Sequence, residues 1–286
     1  MNVITITPED EYPHTPLQNP LWWENYHFNG YDPVKKIGIT TYTGIKPVLG
    51  VREEIITVYS DNPLFFQNEE ELGENVLTSG SLKMEPLHLL KEWRVHMRDS
   101  FLRTEDGVPS HSKENVEFNL RFEADMLPCG FRTERGDRYE QPGSLKGEIQ
   151  VGESSVHFEG KGIRDHSWEI RHIPSWGEWY ALMGCLTPGF VSCAYMTVGG
   201  RTFCQGWVGR DRYYDIQNIQ VDSVFSNDVL EECHMEVETR EETLKIDSHL
   251  ISFVTIPMGE NQDETKVRET LVEIEGGGHG LLWYGR

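Results

Sequence analysis

The sequence predicts an all-β protein made of antiparallel barrels or sandwiches. The first reason is an alternation of apolar and polar residues, clearest at 116–124, where every second side chain is apolar, as in a half-buried strand. The second is that similar segments recur at short intervals with glycine-containing turns between them, while helical patterns are scarce. The other predicted strands are 52–60, 144–151, 190–198, 202–208, 233–239, 244–253 and 266–274.

Turn-forming residues separate the predicted strands. Gly199 and Gly200 stand between two of them, and because glycine accepts positive φ, this pair predicts a two-residue hairpin loop. Residues 104–107 and 151–153 have a similar turn composition. The segment 87–96 fits either a helix or a strand.

The length of 286 residues favours one large domain or two of ordinary size. The least regular stretch, 129–142, is rich in glycine, arginine and proline and lies near the middle of the chain. A boundary between this stretch and Gly160 divides the chain into two similar halves. We therefore predict an N-terminal β domain over 1–150 and a C-terminal β domain over 151–286.

The chain carries 47 acidic and 26 basic residues, a formal net charge of −21. Such a surface repels phosphate backbones, so no nucleic-acid partner is expected. No apolar run approaches the roughly 20 residues that span a bilayer, and residues 1–17 lack the pattern of a signal peptide. The five cysteines include no CxxC pair and are predicted to be buried thiols, which fits a cytoplasmic protein. The sequence does not indicate an oligomeric state.

The densest group of reactive side chains lies in the segment GKGIRDHSWEIR. If this segment is a strand, alternate side chains share a face, so Arg164, His166 and Trp168 oppose Asp165 and Ser167. A bulge at the glycines of the segment would break that alternation. An aspartate flanked by arginines stays ionised, and a neighbouring histidine exchanges protons near neutral pH. The same residues are equally suited to tying strands and loops together, so a functional site and a structural role are both open.

Aromatic residues are concentrated around this segment and near the start of the chain. Together they are predicted to line a pocket for a large apolar molecule, where their π faces would stabilise a developing cation. For any single one of them, packing in a barrel core is the better interpretation. The residues assigned to substrate binding are Trp23, Trp168, Trp176, Trp179, Tyr180 and Trp207.

Several motifs of known sites are missing from the sequence. HExxH and His-x-His are absent, so no metal ligand is predicted. GxSxG and GxGxxG are absent too, which argues against an α/β-hydrolase and against a dinucleotide-binding domain. No cofactor is predicted.

The reactive segment resembles the motif of a known enzyme group. GKGIRDHSWEIR, followed by Trp176 and Trp179, is similar to the pattern Gly-x-Gly-x-Arg-Asp-His-Ser-Trp-Gly-x-Arg of the carotenoid hydratase, kievitone hydratase and tocopherol cyclase-like group. The opening LWWENYHFNGYDPVKKIGITTYTGIKP also resembles that group, whereas Glu169 departs from the pattern, which has glycine there. The resemblance implies two lipocalin-like antiparallel β-barrel or sandwich halves packed together, the second opening with the DHSW segment.

The resemblance also implies a hydrophobic, isoprenoid or polycyclic substrate. The first hypothesis is therefore a cofactor-independent hydratase, isomerase or cyclase that acts by acid–base chemistry on a terpenoid- or steroid-like molecule. Asp165 or His166 would donate the proton, and Ser167 would support them. Arg164 and Arg171 would hold Asp165, and a strongly paired Asp165 would leave His166 as the better donor. The alternatives are a non-catalytic lipocalin-like carrier of a hydrophobic small molecule and a purely structural role for the motif.

Overall fold

The structure is a computed structural model of the chain, and it describes residues 2–133, 135–171, 178–257 and 266–285. These residues form β-strands and one short 3-10 helix, Pro8–Glu11, and contain no α-helix. No helix among them has the length and hydropathy that a membrane crossing requires. The all-β prediction is confirmed. The strands are β1 (Asn2–Ile4), β2 (Trp22–Asp32), β3 (Ile37–Lys46), β4 (Val51–Tyr59), β5 (Leu64–Glu71), β6 (Leu82–His88), β7 (Glu92–Glu105), β8 (Val108–Ala124), β9 (Cys129–Arg132), β10 (Gly136–Val151), β11 (Ser154–Ile170), β12 (Trp179–Leu186), β13 (Gly189–Val198), β14 (Arg201–Gly209), β15 (Tyr213–Ser226), β16 (Val229–Thr239), β17 (Thr243–Pro257), β18 (Lys266–Ile274) and β19 (Gly278–Gly285).

The strands belong to two compact units, an N-terminal unit over Asn2–His172 and a C-terminal unit over Ile173–Arg286. The sequence predicts the division after residue 150 instead, and that position falls next to the turn between β10 and β11. These two strands form one long hairpin, hydrogen-bonded as far as the Val151–Ser154 pair. The DHSW segment on β11 therefore closes the N-terminal unit and does not open the C-terminal one.

Eight strands of the N-terminal unit close into a ring. Their order is β2-β3-β4-β5-β7-β8-β10-β11 and back to β2, and every pairing in it is antiparallel. β6 extends from β7, while β9 and then β1 extend from β10. The apolar cluster buried in this unit includes Phe28, Trp93, Phe118 and Phe158. The alternating side chains of the strands thus supply one continuous core.

The C-terminal unit contains a second closed barrel. Its eight strands, β12 to β19, pair antiparallel in chain order, and β19 returns to pair with β12. Its buried cluster includes Leu182, Val191, Val237 and Leu282. Each unit therefore contains an eight-stranded antiparallel barrel, which confirms the predicted fold class of two barrel-like halves.

The predicted turns are present where the sequence places them. Gly199 and Gly200 join β13 to β14 with φ values of 57° and 76°. Asp106 and Gly107 join β7 to β8 with φ values of 50° and 72°. Two consecutive positive φ values suit the right-handed twist of a hairpin, which explains the choice of residues. The undecided segment 87–96 contains the end of β6 and the start of β7, so it is not a helix.

The five cysteines form no disulfide within the part of the chain that the structure describes. Four of them are buried, and Cys204 is half-buried. The prediction of buried thiols is confirmed for those four.

Candidate active site

β11 carries the DHSW segment and lies between β10 and β2. Its pairing with β2 keeps one register from residue 161 to residue 170, so no bulge interrupts the motif. Consecutive side chains of the motif therefore point to opposite faces of the strand, as predicted. Arg164, His166 and Trp168 lie on one face, and Asp165 and Ser167 lie on the other.

Arg164 is buried and pairs with Glu11 of the 3-10 helix. Its Nη2 donates to Glu11 Oε1 at 2.5 Å, its Nη1 to the Tyr139 hydroxyl at 3.0 Å, and its Nε to Gln141 Oε1 at 2.8 Å. Trp93 Nε1 donates to the second Glu11 oxygen at 2.5 Å. Arg164 and Glu11 are at most 1% exposed. The pair thus anchors the N-terminal segment inside the first barrel, with hydrogen bonds on both of its charged groups.

Glu24 of β2 stands between two histidines. Its Oε1 lies 2.8 Å from His166 Nε2 and 2.8 Å from His14 Nδ1. The backbone N–H of His14 also donates to both carboxylate oxygens, at 3.1 and 3.0 Å. Glu24 and His166 are at most 1% exposed, whereas the His14 side chain is 21% exposed. These three residues, called the histidine–glutamate cluster below, lead from the interior of the N-terminal unit to its surface.

The charges of this cluster support one another. Burial by itself raises the pKa of Glu24, but the hydrogen bonds and charges of His14 and His166 outweigh it and hold that pKa below its ordinary value. Burial likewise lowers the pKa of His14, but Glu24 and Asp10 raise it above its ordinary value. His14 Nε2 lies 3.3 Å from Asp10 Oδ1. The cluster therefore contains an ionised carboxylate next to a histidine that keeps its proton to a higher pH.

Aromatic rings hold both imidazoles in place. His14 stacks on Trp168 with centroids 3.7 Å apart and planes inclined by 13°. His166 stacks on Tyr26 at 4.0 Å and meets the edge of Tyr139 at 5.4 Å. His166 Nδ1 and the Tyr26 hydroxyl are buried without a hydrogen-bond partner among the described residues. Trp168, predicted to bind substrate, thus lies against both imidazoles and stacks on that of His14, while its role in binding stays a prediction.

Asp165 belongs to a second polar group, on the other face of β11. Arg138 Nη2 donates to its Oδ2 at 2.5 Å, and Asn25 Nδ2 donates to its Oδ1 at 2.9 Å. Arg171 donates to Asn25 Oδ1 and to Ser167 Oγ. Burial raises the pKa of Asp165, but the charge of Arg138 and its neighbours holds it below its ordinary value. Asp165 is thus an ionised carboxylate and a poor proton donor.

Asp165→Asn should change how stability depends on pH. The pKa of Asp165 is lower in the folded chain than in the unfolded chain, where it is about 3.9. The ion pair between Asp165 and Arg138 therefore stabilises the fold at pH values above the unfolded pKa. This contribution disappears as the pH falls through the pKa of Asp165 in the folded chain. The stability difference between wild type and variant, measured by urea titration, should narrow below about pH 4. A difference of constant size from neutral to acidic pH would contradict this.

Two predicted contacts are corrected by the structure. The sequence predicts that Arg164 holds Asp165, but the alternation along β11 puts the two side chains on opposite faces, and Arg138 pairs with Asp165 instead. The sequence also allows Asp165 to orient His166, yet His166 bonds to Glu24 for the same reason. The third expected contact is indirect, since Arg171 reaches Asp165 through Asn25.

The remaining residues predicted to bind substrate are spread over both units. Trp23 lies half-buried on β2 of the N-terminal unit. Trp179 and Tyr180 on β12, and Trp207 on β14, belong to the C-terminal unit, where Trp207 is fully buried. Trp176 lies outside the described residues. Trp168 is the described member of this set that touches the histidine–glutamate cluster through its ring.

Sequence reasoning missed His14, Glu24 and Arg138. Glu24 lies 142 positions from His166, and Arg138 lies 27 positions from Asp165. No local spacing links such residues, because they meet where the ring closes between β11 and its neighbours. A charged residue within the aromatic run WWENYHF was the available signal for Glu24.

The histidine–glutamate cluster is also a donor set that suits a metal ion. The ligand atoms of His14, Glu24 and His166 lie within 4.8 Å of one another, and two imidazoles with one carboxylate suit zinc or iron. The same atoms are already joined by hydrogen bonds through Glu24 Oε1. A cation would have to replace both bonds. The absence of a metal ligand stays a prediction.

Comparison with known proteins identifies the family and the fold. A family model described as "Domain of unknown function (DUF7064)" matches residues 7–285. The chain belongs to this DUF7064 family. Kievitone hydratase from Nectria haematococca has a similar structure, with a TM-score of 0.59 and a sequence identity of 9%. The match covers 92% of this DUF7064 protein and 88% of the kievitone hydratase chain. CghA, solved with Sch210972, gives 0.58 at 8% identity over 93% and 88%. No curated protein sequence matches the DUF7064 chain. At these identities the likeness shows a shared fold.

Proposed function

We propose that this DUF7064 protein is a hydratase-, isomerase- or cyclase-type enzyme. It acts on a hydrophobic, terpenoid- or steroid-like small molecule by acid–base chemistry and without a cofactor. The observation that carries the proposal is the buried hydrogen bond between His166 and Glu24, next to Trp168, in a fold shared with kievitone hydratase. Protonation of an alkene needs an acid, a site that excludes water and a group that stabilises the cation. The imidazole is a group that can donate the proton, and the indole face and the carboxylate are groups that can stabilise a cation. Glu24 and His166 are both buried, which keeps water away from them.

The two predicted catalytic residues receive different roles in this proposal. His166 belongs to the centre that exchanges the proton, because it contacts Glu24 and is surrounded by aromatic rings. Asp165 is held ionised by Arg138, so it is not the acid. Because its side chain lies on the opposite face of β11, it is a positioning residue that, with Arg138 and Asn25, holds the strand that carries His166. The buried pair of His166 and Glu24 also favours an enzyme over a carrier, because a carrier needs no group that exchanges protons.

His166→Gln should reduce turnover by at least about 100-fold, whereas Asp165→Asn, which acts only through the position of the strand, should reduce turnover by less. The protein would be incubated in deuterated water with a panel of terpenoids, steroids and polyunsaturated lipids, and mass spectrometry would score added water or incorporated deuterium. Circular dichroism would verify that both variants fold. His157→Gln is the matched control, since His157 lies on the same strand but is exposed and bonds to the exposed Glu148.

Each outcome of the panel has a clear meaning. Enzyme-dependent incorporation that His166→Gln loses and His157→Gln retains would support the proposal. Full activity in His166→Gln would show that the catalytic assignment is wrong. Binding of a panel compound without chemical change would favour the carrier instead.

A further inference from the structure

His166 is enclosed, which raises the question of how its centre reaches a substrate. The residue has 0% exposure. Its ring is covered by Tyr26, Trp168 and Tyr139, with centroids 4.0, 5.0 and 5.4 Å away. Its Nε2 is bonded to Glu24. In this arrangement no atom of His166 meets a molecule that arrives from outside.

Glu24 connects His166 to a histidine that does reach the surface. One oxygen, Oε1, lies 2.8 Å from a ring nitrogen of each histidine. The His14 side chain is 21% exposed, and its second ring nitrogen, Nε2, faces Asp10 at 3.3 Å. That distance is slightly beyond the usual length of an N–H···O bond, so Asp10 engages the Nε2–H less closely than Glu24 engages Nδ1. Asp10 is itself partly exposed, at 23%.

We propose that His14 is the catalytic residue that hands the proton to the substrate, with Glu24 and His166 as the residues that position it. This inference rests on the proposed function and adds a residue that the DHSW motif does not contain. The charged groups around His14 are Asp10 on its own segment, Glu24 on β2 and His166 on β11. Because Glu24 binds Nδ1, loss of the Nε2 proton leaves the neutral tautomer that still donates to Glu24. Trp168 stacks on the His14 imidazole and fixes the orientation of that ring.

The proton balance of this step closes. The Nε2–H bond of the His14 imidazolium breaks as the π electrons of an alkene form a C–H bond, which leaves a carbocation. In hydration, the oxygen of a water molecule bonds to the cationic carbon, and neutral His14 takes the proton that the water releases. In isomerisation or cyclisation, His14 takes a proton from a carbon next to the cation. In both cases His14 returns to the imidazolium form.

A titration tests the poised state of His14 without any substrate. Nitrogen-15 NMR of the imidazoles, with the His14 signal assigned by its loss in His14→Gln, should show a pKa above the ordinary value of about 6.5. Glu24→Gln removes the carboxylate and should lower that pKa. Glu148→Gln, which removes an exposed carboxylate from His157, should leave it unchanged. A His14 pKa that is not raised, or that ignores Glu24→Gln, would overturn the inference.

Turnover tests the delivery of the proton. His14→Gln should lose at least about 100-fold of kcat on the responding panel compound, and added imidazole should restore part of the activity of His14→Ala. If His14→Gln keeps wild-type turnover and pH profile while His166→Gln is inactive, the inference fails and the proposed function stands. If wild type converts no panel compound, the proposed function fails and the delivery role falls with it. Loss of activity on EDTA treatment, restored by zinc, would assign the cluster to a metal ion and overturn the inference.

Discussion

Arg164→Met should lower the free energy of unfolding by about 3–5 kcal/mol, the usual cost of removing one partner from a buried ion pair. The substitution leaves the Glu11 carboxylate enclosed, with Trp93 and Tyr139 as its remaining side-chain donors. The methionine fills part of the arginine volume but donates no hydrogen bond to Gln141. Urea titration followed by tryptophan fluorescence measures the effect.

A matched variant separates burial from the loss of an arginine. Arg94→Met removes an exposed arginine that pairs with the exposed Glu85 at 3.4 Å, so its effect should stay within about 0.5 kcal/mol. The double variant Glu11→Gln with Arg164→Met buries no charge and keeps one carbonyl oxygen, which accepts from Trp93 or from Tyr139. It should therefore be more stable than the sum of the two single effects predicts. A loss for Arg164→Met as small as that for Arg94→Met would show that the buried pair contributes little.

Gly162→Ala should destabilise the N-terminal unit by about 3 kcal/mol, at the upper end of the usual cost of overpacking. A Cβ at this position would lie well inside van der Waals contact with the backbone carbonyl of Asn29 on β2. That carbonyl is part of the barrel wall and moves only if β11 and β2 separate. The separation would also disturb the bond from the Ile163 N–H to Asn29 Oδ1 at 3.1 Å, directly before the DHSW motif. Thermal and urea unfolding both report the change.

Gly30→Ala is the matched control on the neighbouring strand. A Cβ at Gly30 would meet the end of the Leu145 side chain at 3.1 Å, and a leucine can adjust by a few tenths of an ångström. Its cost should stay below about 1 kcal/mol. If both alanine variants lose the same free energy of unfolding, the close approach of the Asn29 carbonyl is not the reason why position 162 requires glycine.

The fold class was predictable from the sequence because strand periodicity and turn chemistry are local signals. The Gly199–Gly200 hairpin follows from two adjacent residues that accept positive φ, and β8 follows from alternation within one segment. The division between units was not predictable in this way. The boundary between the units falls after β11. The most irregular composition in the middle of the chain is at 129–142, which lies inside the first unit, so composition points to the wrong place.

The candidate site was predictable in part. The motif contains His166 and Trp168, and its alternation correctly separates them from Asp165. Their partners depend on which strands close the barrel, and that is long-range information. His14 and Glu24 carry no pattern that points to β11, so a single sequence indicates where reactive groups are dense without showing what each one contacts.

The bond between Glu11 and Arg164 joins positions 153 residues apart. Replacement of only one of these two residues leaves the other as a buried charge without its partner, so we expect the two positions to change together in evolution. Lineages of DUF7064 proteins that replace the arginine should also have replaced the glutamate, and an ancestor that passed through one change alone would have been the less stable form. The opening segment of these proteins should therefore diverge no faster than the DHSW motif, despite its irregular backbone. Alignments that include the first fifteen residues would reveal the coupling as paired substitutions.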